Sequence, residues 1–144
     1  MINTSLTQLI PILQLAIGPV ILISGVGLLL LTMTNRFGRL LDRSRLLNRE
    51  RPPADLVEAV QEQIAILHRR AAILRLAIIF GATTVLLVAV LILVLFITAL
   101  LQIEAGWLIV ALFCLSQVSL IGAMVAFIRD MNLSLLAVRL ELKR

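Results

Sequence analysis

Residues 76–128 read LAIIFGATTVLLVAVLILVLFITALLQIEAGWLIVALFCLSQVSLIGAMVAFI, and Glu104 is the one charge among them. A bilayer core about 30 Å thick takes about 20 apolar residues of helix. This stretch therefore holds two spans, Leu76–Leu101 and a second from Ala105 or Trp107 to Ile128, joined by a tight turn at Gln102–Gly106. Outward towards the N-terminus, a further uncharged run extends from Leu6 or Leu9 to Met33. All three runs read as helices, because a chain in lipid must satisfy its backbone hydrogen bonds internally. A closed barrel would need many short alternating segments, whereas these runs are continuous. The first run is no cleaved signal peptide: it lacks a basic start, is too long, and precedes no Ala-x-Ala site.

The composition agrees. Of 144 residues, 61% are hydrophobic and 15% charged, with a mean hydropathy of +1.11. A soluble domain is nearer half apolar and about a quarter charged. So much apolar side chain cannot be buried inside one small globule, so lipid must solvate much of it. A soluble enzyme and a disulfide-built secreted module are excluded on this ground. The single Cys cannot form an intramolecular disulfide and the single His cannot build a histidine metal cluster.

Charge sets the orientation. Residues 1–35 carry none, 36–75 carry nine Arg and five acids, and 129–144 carry four basic and two acidic groups. Cations collect on the cytoplasmic side of a membrane. The expected topology has the N-terminus outside, the C-terminus inside, and the 36–75 segment cytoplasmic. Each basic block abuts an apolar span, so anionic lipid headgroups, not nucleic acid, are the expected partner of the net +5 charge. Trp107 falls at the expected outer interface, where an amphipathic ring is favoured; an ordinary lipid-facing Trp is the plainer reading.

The fold class that follows is an all-α integral membrane protein with three transmembrane helices and a cytoplasmic antiparallel helical hairpin between the first and second. Its expected parts are residues 1–34, the first transmembrane helix, bent near Gly18-Pro19; residues 35–75, the hairpin; residues 76–128, the other two spans; and residues 129–144, a cytoplasmic C-terminal helix. Pro52-Pro53 marks the hairpin tip. In its second arm Leu56, Val60, Ile64 and Leu67 begin a heptad-like stripe that Ala71 and Leu74 continue, and these are the expected hairpin core. Arg49 or Arg51 near the tip can meet Asp55 or Glu58, in exposed pairs each contributing about 0–1 kcal/mol. A first arm lying flat on the membrane is the competing geometry. The tail continues the third span without a breaker, though its alternating Leu133, Leu135, Val138, Leu140 and Leu142 also permit a strand.

Catalytic chemistry is not legible. His68 stands alone between Leu67 and Arg69, short of the ligands a metal requires. Cys114 lies mid-span in apolar surroundings, where a thiol is inert. There is no Ser-His-Asp set, phosphate loop or metal spacing, so no enzyme and no cofactor are expected. The spans hold no ionisable group to relay protons or bind a coupling ion.

What polarity there is falls in two stripes. On the first helix Gln14, Gly18, Gly25, Thr32, Arg36 and Arg39 cluster within a sector of about 60° at helical spacing, with Arg43 near its edge. On the third, Ser116, Ser119, Ala123, Ala126 and Asp130 recur at spacings of three and four. Such lines let helices approach closely, and the third-helix line is expected to do that. The second span, nearly all Leu, Val and Ile after Gly81–Thr84, reads as a lipid-facing helix.

Two functions stay open. In one, a homo-oligomer surrounds an ion channel or pore lined by Gln14, Gly18, Gly25 and Thr32, with Arg36, Arg39 and Arg43 at its cytoplasmic mouth. In the other, a non-conducting structural or accessory protein uses its hairpin to bind a partner or anionic lipid.

The string PVILISGVGLLLLTMTNRFGRLLDRSRLL at residues 19–47 resembles a bacterial membrane family, domain of unknown function 2721. Asn35, Arg36, Arg39, Asp42, Arg43 and Arg45 match its N-R-x-x-R-x-x-D-R-x-R exit from the first span, and the layout of the later spans fits over most of the chain. The resemblance implies small three-span members in a bacterial inner membrane, or a thylakoid membrane in a cyanobacterium, and implies no activity.

Overall fold

The computed structural model describes residues 6–49 and 57–141, leaving aside the side chains of residues 6–9, 58–59 and 135–141. Three helices account for nearly all of it: α1 (Leu6–Arg49), α2 (Val57–Leu101) and α3 (Gly106–Glu141). Each contains a stretch long and apolar enough to cross a membrane, so the protein is an all-helical, multi-pass membrane protein. At about 1.5 Å per residue, α1 and α2 are each about 65 Å long, twice the thickness of a bilayer core. The apolar runs of α1 and α2 pass straight into charged sequence with no break in the helix; no Pro lies at either junction, and Gly38 and Gly81 stay helical. Helix α1 passes through Pro11 and Pro19. Proline lacks the N–H for the preceding turn, and neighbouring helices make such a gap tolerable in lipid. The tail is helical up to Glu141, not a strand. The Pro52-Pro53 tip, Leu56, Arg51 and Asp55, together with the Glu58 side chain, lie outside the described residues.

The turn between α2 and α3 closes in four residues. Gln102 takes a left-handed φ of 55°, the conformation that lets a chain leave a helix. The amide of Ile103 then donates to the carbonyl of Thr98 at 3.1 Å, the long bond of a Schellman motif. Gln102 Nε2 donates to the carbonyl of Ala99 at 2.8 Å, which satisfies a further orphan carbonyl of the helix end. The amides of Leu108 and Ile109 donate to the carbonyl of Ala105 and start α3.

The chain divides into two compact units, with boundaries at Leu30/Leu31, Ile79/Phe80 and Ile121/Gly122. In the first, small residues and hydroxyls sit where helices meet. Leu30 approaches Gly81 so closely that a Cβ there would lie 2.8 Å from Leu30 Cδ2. Ser119 Oγ donates to the carbonyl of Phe80 at 2.9 Å, from α3 to α2. Thr84 Oγ1, fully buried, donates to the same carbonyl at 2.9 Å. Ser116 and Thr98 bond back to carbonyls of their own helices. In an apolar medium a hydroxyl has no water to fall back on, so each takes a backbone carbonyl. Large side chains such as Leu15, Leu28, Leu86, Leu93 and Trp107 point outward, where lipid covers them.

The second unit has an apolar cluster of Met33, Leu74, Ala77 and Ala126, flanked by Phe37, Leu40, Ile73, Ile78 and Phe127. All three helices contribute to it.

The second span, read as lipid-facing, exposes Leu76, Leu86, Leu93 and Ile97 but also buries one face. Helix α2 carries buried residues at Leu67, Leu74, Ala77, Gly81, Thr84, Val88 and Leu91. Their spacing is seven, then alternately three and four: a heptad seam. Overall hydropathy does not reveal that face because it reports composition, whereas in lipid the seam is marked by small residues, here Ala77, Gly81 and Thr84, that permit close approach.

Candidate functional site, an arginine pocket on three helices

The second unit contains a concave site of about 210 Å³, lined by Arg36, Arg39, Leu40, Arg43, Leu67, Arg70 and Asp130. Its position follows from the sequence. Arg36 is the first charge after the apolar run of α1, Asp130 adjoins the first charge after that of α3, and Arg70 lies a turn and a half before that of α2. Arg36, Arg39 and Arg43 recur at i+3 and i+7, so one face of α1 presents all three. They span about 10 Å along the helix, close to the depth of a headgroup layer, about 5–8 Å.

Each cation is held differently. Arg36 is half-buried; its guanidinium carbon lies 5.5 Å from the centroid of the Phe127 ring, and its Nη1 reaches Met131 Sδ. A cation over an aromatic face is stabilised by about 0.5–2 kcal/mol, more as water is excluded. Arg70 contacts Asp130, Nε to Oδ1 at 3.4 Å, with side chains 14% and 1% exposed. That distance is long for a charge-assisted hydrogen bond. The second oxygen, Asp130 Oδ2, is buried with no hydrogen-bond partner among the described residues. Arg39 and Arg43 are exposed at the mouth. Nearby, Ser44 Oγ and His68 Nε2 stand 3.5 Å apart between α1 and α2.

The arrangement suits an anion. Four guanidiniums offer only donors, in planar forks that match phosphate and carboxylate oxygens. The carboxylate of Asp130 contacts one of them, Arg70. Leu40 and Leu67 give the site an apolar wall beside the charges.

The residues read from sequence as functional separate into groups. Gln14, Gly18, Gly25 and Thr32 are exposed on α1, and a Cβ at Gly18 or Gly25 would meet open space. Arg36, Arg39 and Arg43, read as continuing that line, also line the pocket. Ser116, Ser119, Ala123 and Ala126 are all buried. Val60 and Ile64 are half-buried and Leu67 is buried, where it forms part of the pocket wall. Arg70 and Phe127 were missed altogether. A signal for Arg70 existed: Asp130 extends a line of buried small residues, and a carboxylate on a buried face needs a cation. Arg70 stands between Leu67 and Leu74 on the stripe of α2. Among the described residues no group of three or more His, Cys, Asp or Glu could hold a metal ion.

No curated protein and no solved structure matches the chain. The family model described as "Protein of unknown function (DUF2721)" matches residues 16–140, a range that contains the arginine exit of α1, the Arg70–Asp130 pair and the buried seam of α2. On that match the chain belongs to the DUF2721 family.

Proposed function

We propose that this protein is a non-catalytic membrane protein that holds the phosphate of an anionic lipid headgroup in the arginine pocket, at the cytoplasmic face of the bilayer. The observation that carries this reading is the convergence of Arg36, Arg39, Arg43 and Arg70 on one concavity, at the level where each helix passes from apolar to charged sequence. Juxtamembrane arginines each add about 1 kcal/mol of attraction to an anionic leaflet, and a preformed pocket adds geometry to that charge. The cytoplasmic assignment rests on the positive-inside rule. Two pairings support an antiparallel hairpin formed by the first two helices: Met33 clusters with Leu74 and Ala77, while Ser44, later in α1, meets His68, earlier in α2. The cell membrane of a bacterium is the setting the sequence resemblance implies.

Purified protein in nanodiscs of phosphatidylcholine tests the reading when phosphatidylglycerol is titrated in and retained lipid is counted by native mass spectrometry. Wild type should retain phosphatidylglycerol, and Arg39→Glu should lose most of it with unchanged melting, since the Arg39 head is exposed. Equal retention by both proteins would remove the pocket as a lipid site. Displacement by millimolar inorganic phosphate would identify a free anion as the ligand.

A second reading is favoured by one observation. Gln14, Gly18, Gly25 and Thr32 form an exposed line on a helix that crosses the membrane. A glutamine facing lipid is costly, so a second copy of the chain is a better neighbour. This is the homo-oligomer, in which the line would border a pore and the arginines its mouth. A closed ring with an axial void after detergent extraction, and ion flux whose anion preference reverses in Arg39→Glu, would support it. A monomer with no flux under voltage or tension would end it.

A further inference from the structure

Asp130 is the anomaly of the pocket. Among the described side chains that line the pocket it is the one acceptor; it is 1% exposed, and only its Oδ1 has a partner among the described residues. A carboxylate has about four lone-pair positions, and a buried, unsatisfied oxygen is costly. A pocket meant for any anion would be stronger without it. We infer that Asp130 makes the pocket selective: it takes a phosphodiester monoanion whose far side carries a hydrogen-bond donor, a hydroxyl or an ammonium, and it rejects the dianionic phosphomonoester. This rests on the headgroup reading above and narrows it.

The chemistry runs as follows. The diester phosphate offers acceptor oxygens to Arg36, Arg39 and Arg43. The terminal donor of the headgroup turns towards Asp130 and supplies the partner that Oδ2 lacks. Oδ2 is closed off in the chain alone, so part of the wall must yield. The Arg70 head is the part placed to do so: it lines the pocket, its side chain is 14% exposed, and its 3.4 Å contact to Oδ1 is long. A phosphomonoester brings a second negative charge and no donor in its ionised form, so it meets the carboxylate as like charge meeting like charge. In a site screened from water that repulsion is much larger than in bulk.

The test uses the full-length protein in phosphatidylcholine nanodiscs, with phosphatidylglycerol and phosphatidic acid of identical acyl chains in competition. At pH 8 wild type should retain phosphatidylglycerol over phosphatidic acid by about tenfold, the worth of one charge-assisted hydrogen bond. At pH 5, below the second ionisation of a phosphomonoester near about pH 6, that preference should shrink several-fold. Asp130→Asn should bring the pH 8 ratio close to one, mainly by gaining phosphatidic acid. Should that variant fold poorly, the wild-type pH series decides alone. Equal retention of the two lipids at pH 8, or a preference for phosphatidic acid, overturns the inference even where Arg39→Glu still abolishes retention. If Arg39→Glu changes nothing, the headgroup reading falls and this inference with it. Soluble glycerophosphoglycerol competing as well as the lipid would keep the diester selection and make the ligand a free one.

Discussion

The two compact units of this protein are built from the same three helices and held by opposite means. In the first, close approach does the holding: Gly81 admits Leu30, and the buried hydroxyls of Thr84 and Ser119 share one carbonyl. No charged side chain takes part in these contacts. In the second, an apolar cluster around Met33 and Leu74 adjoins a cation over a ring and a buried ion pair. The difference follows from the alternative open to each group. A hydroxyl in lipid has only backbone to bond, and helices there gain nothing from excluding water, so fit decides. Past the apolar runs a charge can be brought to a buried position if a counter-charge meets it, at a high cost if it does not.

The sharpest way to break that contrast is to remove one member of the ion pair. Arg70→Ala should destabilise the protein by about 3 kcal/mol, since it leaves the buried Asp130 charge unpaired; Asp130→Ala should cost less, because the Arg70 head keeps some access to solvent. Thermal unfolding in a mild detergent, followed by circular dichroism, measures this. Arg70→Met combined with Asp130→Leu should recover most of the loss; a double variant as unstable as the singles would mean that the pair does more than neutralise itself.

A clash in the first unit ranks next. Gly81→Val should cost about 1–3 kcal/mol by overpacking against Leu30, and Leu30→Ala in the same chain should relieve part of it. Strict additivity of the two changes would show that they do not meet. Ser119→Ala should cost about 1 kcal/mol, the net worth of one hydrogen bond, and its effect should not depend on ionic strength. The smallest change is expected at the turn. Gln102→Gly removes a left-handed side chain that costs about 1 kcal/mol but also deletes the bond to Ala99, so a net gain of about 0.5 kcal/mol should raise the melting temperature slightly. A fall in that temperature would show that the side-chain bond outweighs the backbone strain.

Much of the fold was legible because the bilayer imposes few solutions. Uncharged runs ending at Met33, Leu101 and Ile128 gave the three helices, and the spacing of Ser116 to Asp130 marked the line on α3 that is buried. The seam of α2 was missed, since Leu, Val and Ile fill lipid-facing and helix-facing positions alike, and only Ala77, Gly81 and Thr84 betray the difference. The pocket was half legible. Three of its arginines stand out at i, i+3 and i+7, but Arg70 and Phe127 lie far from them in sequence and nothing local couples them.

By itself the sequence determined the number of helices, their membrane-crossing nature and the family, because hydropathy, length and the arginine exit are properties of contiguous residues. Only the tertiary structure decided which faces of α1 and α2 are covered, that Arg36 turns to Phe127, and that Arg70 finds Asp130. Those outcomes depend on side chains 60 to 95 positions apart meeting in space. Periodicity names a face without naming its partner, and the energy of a buried charge is set by whatever partner the packing brings within reach.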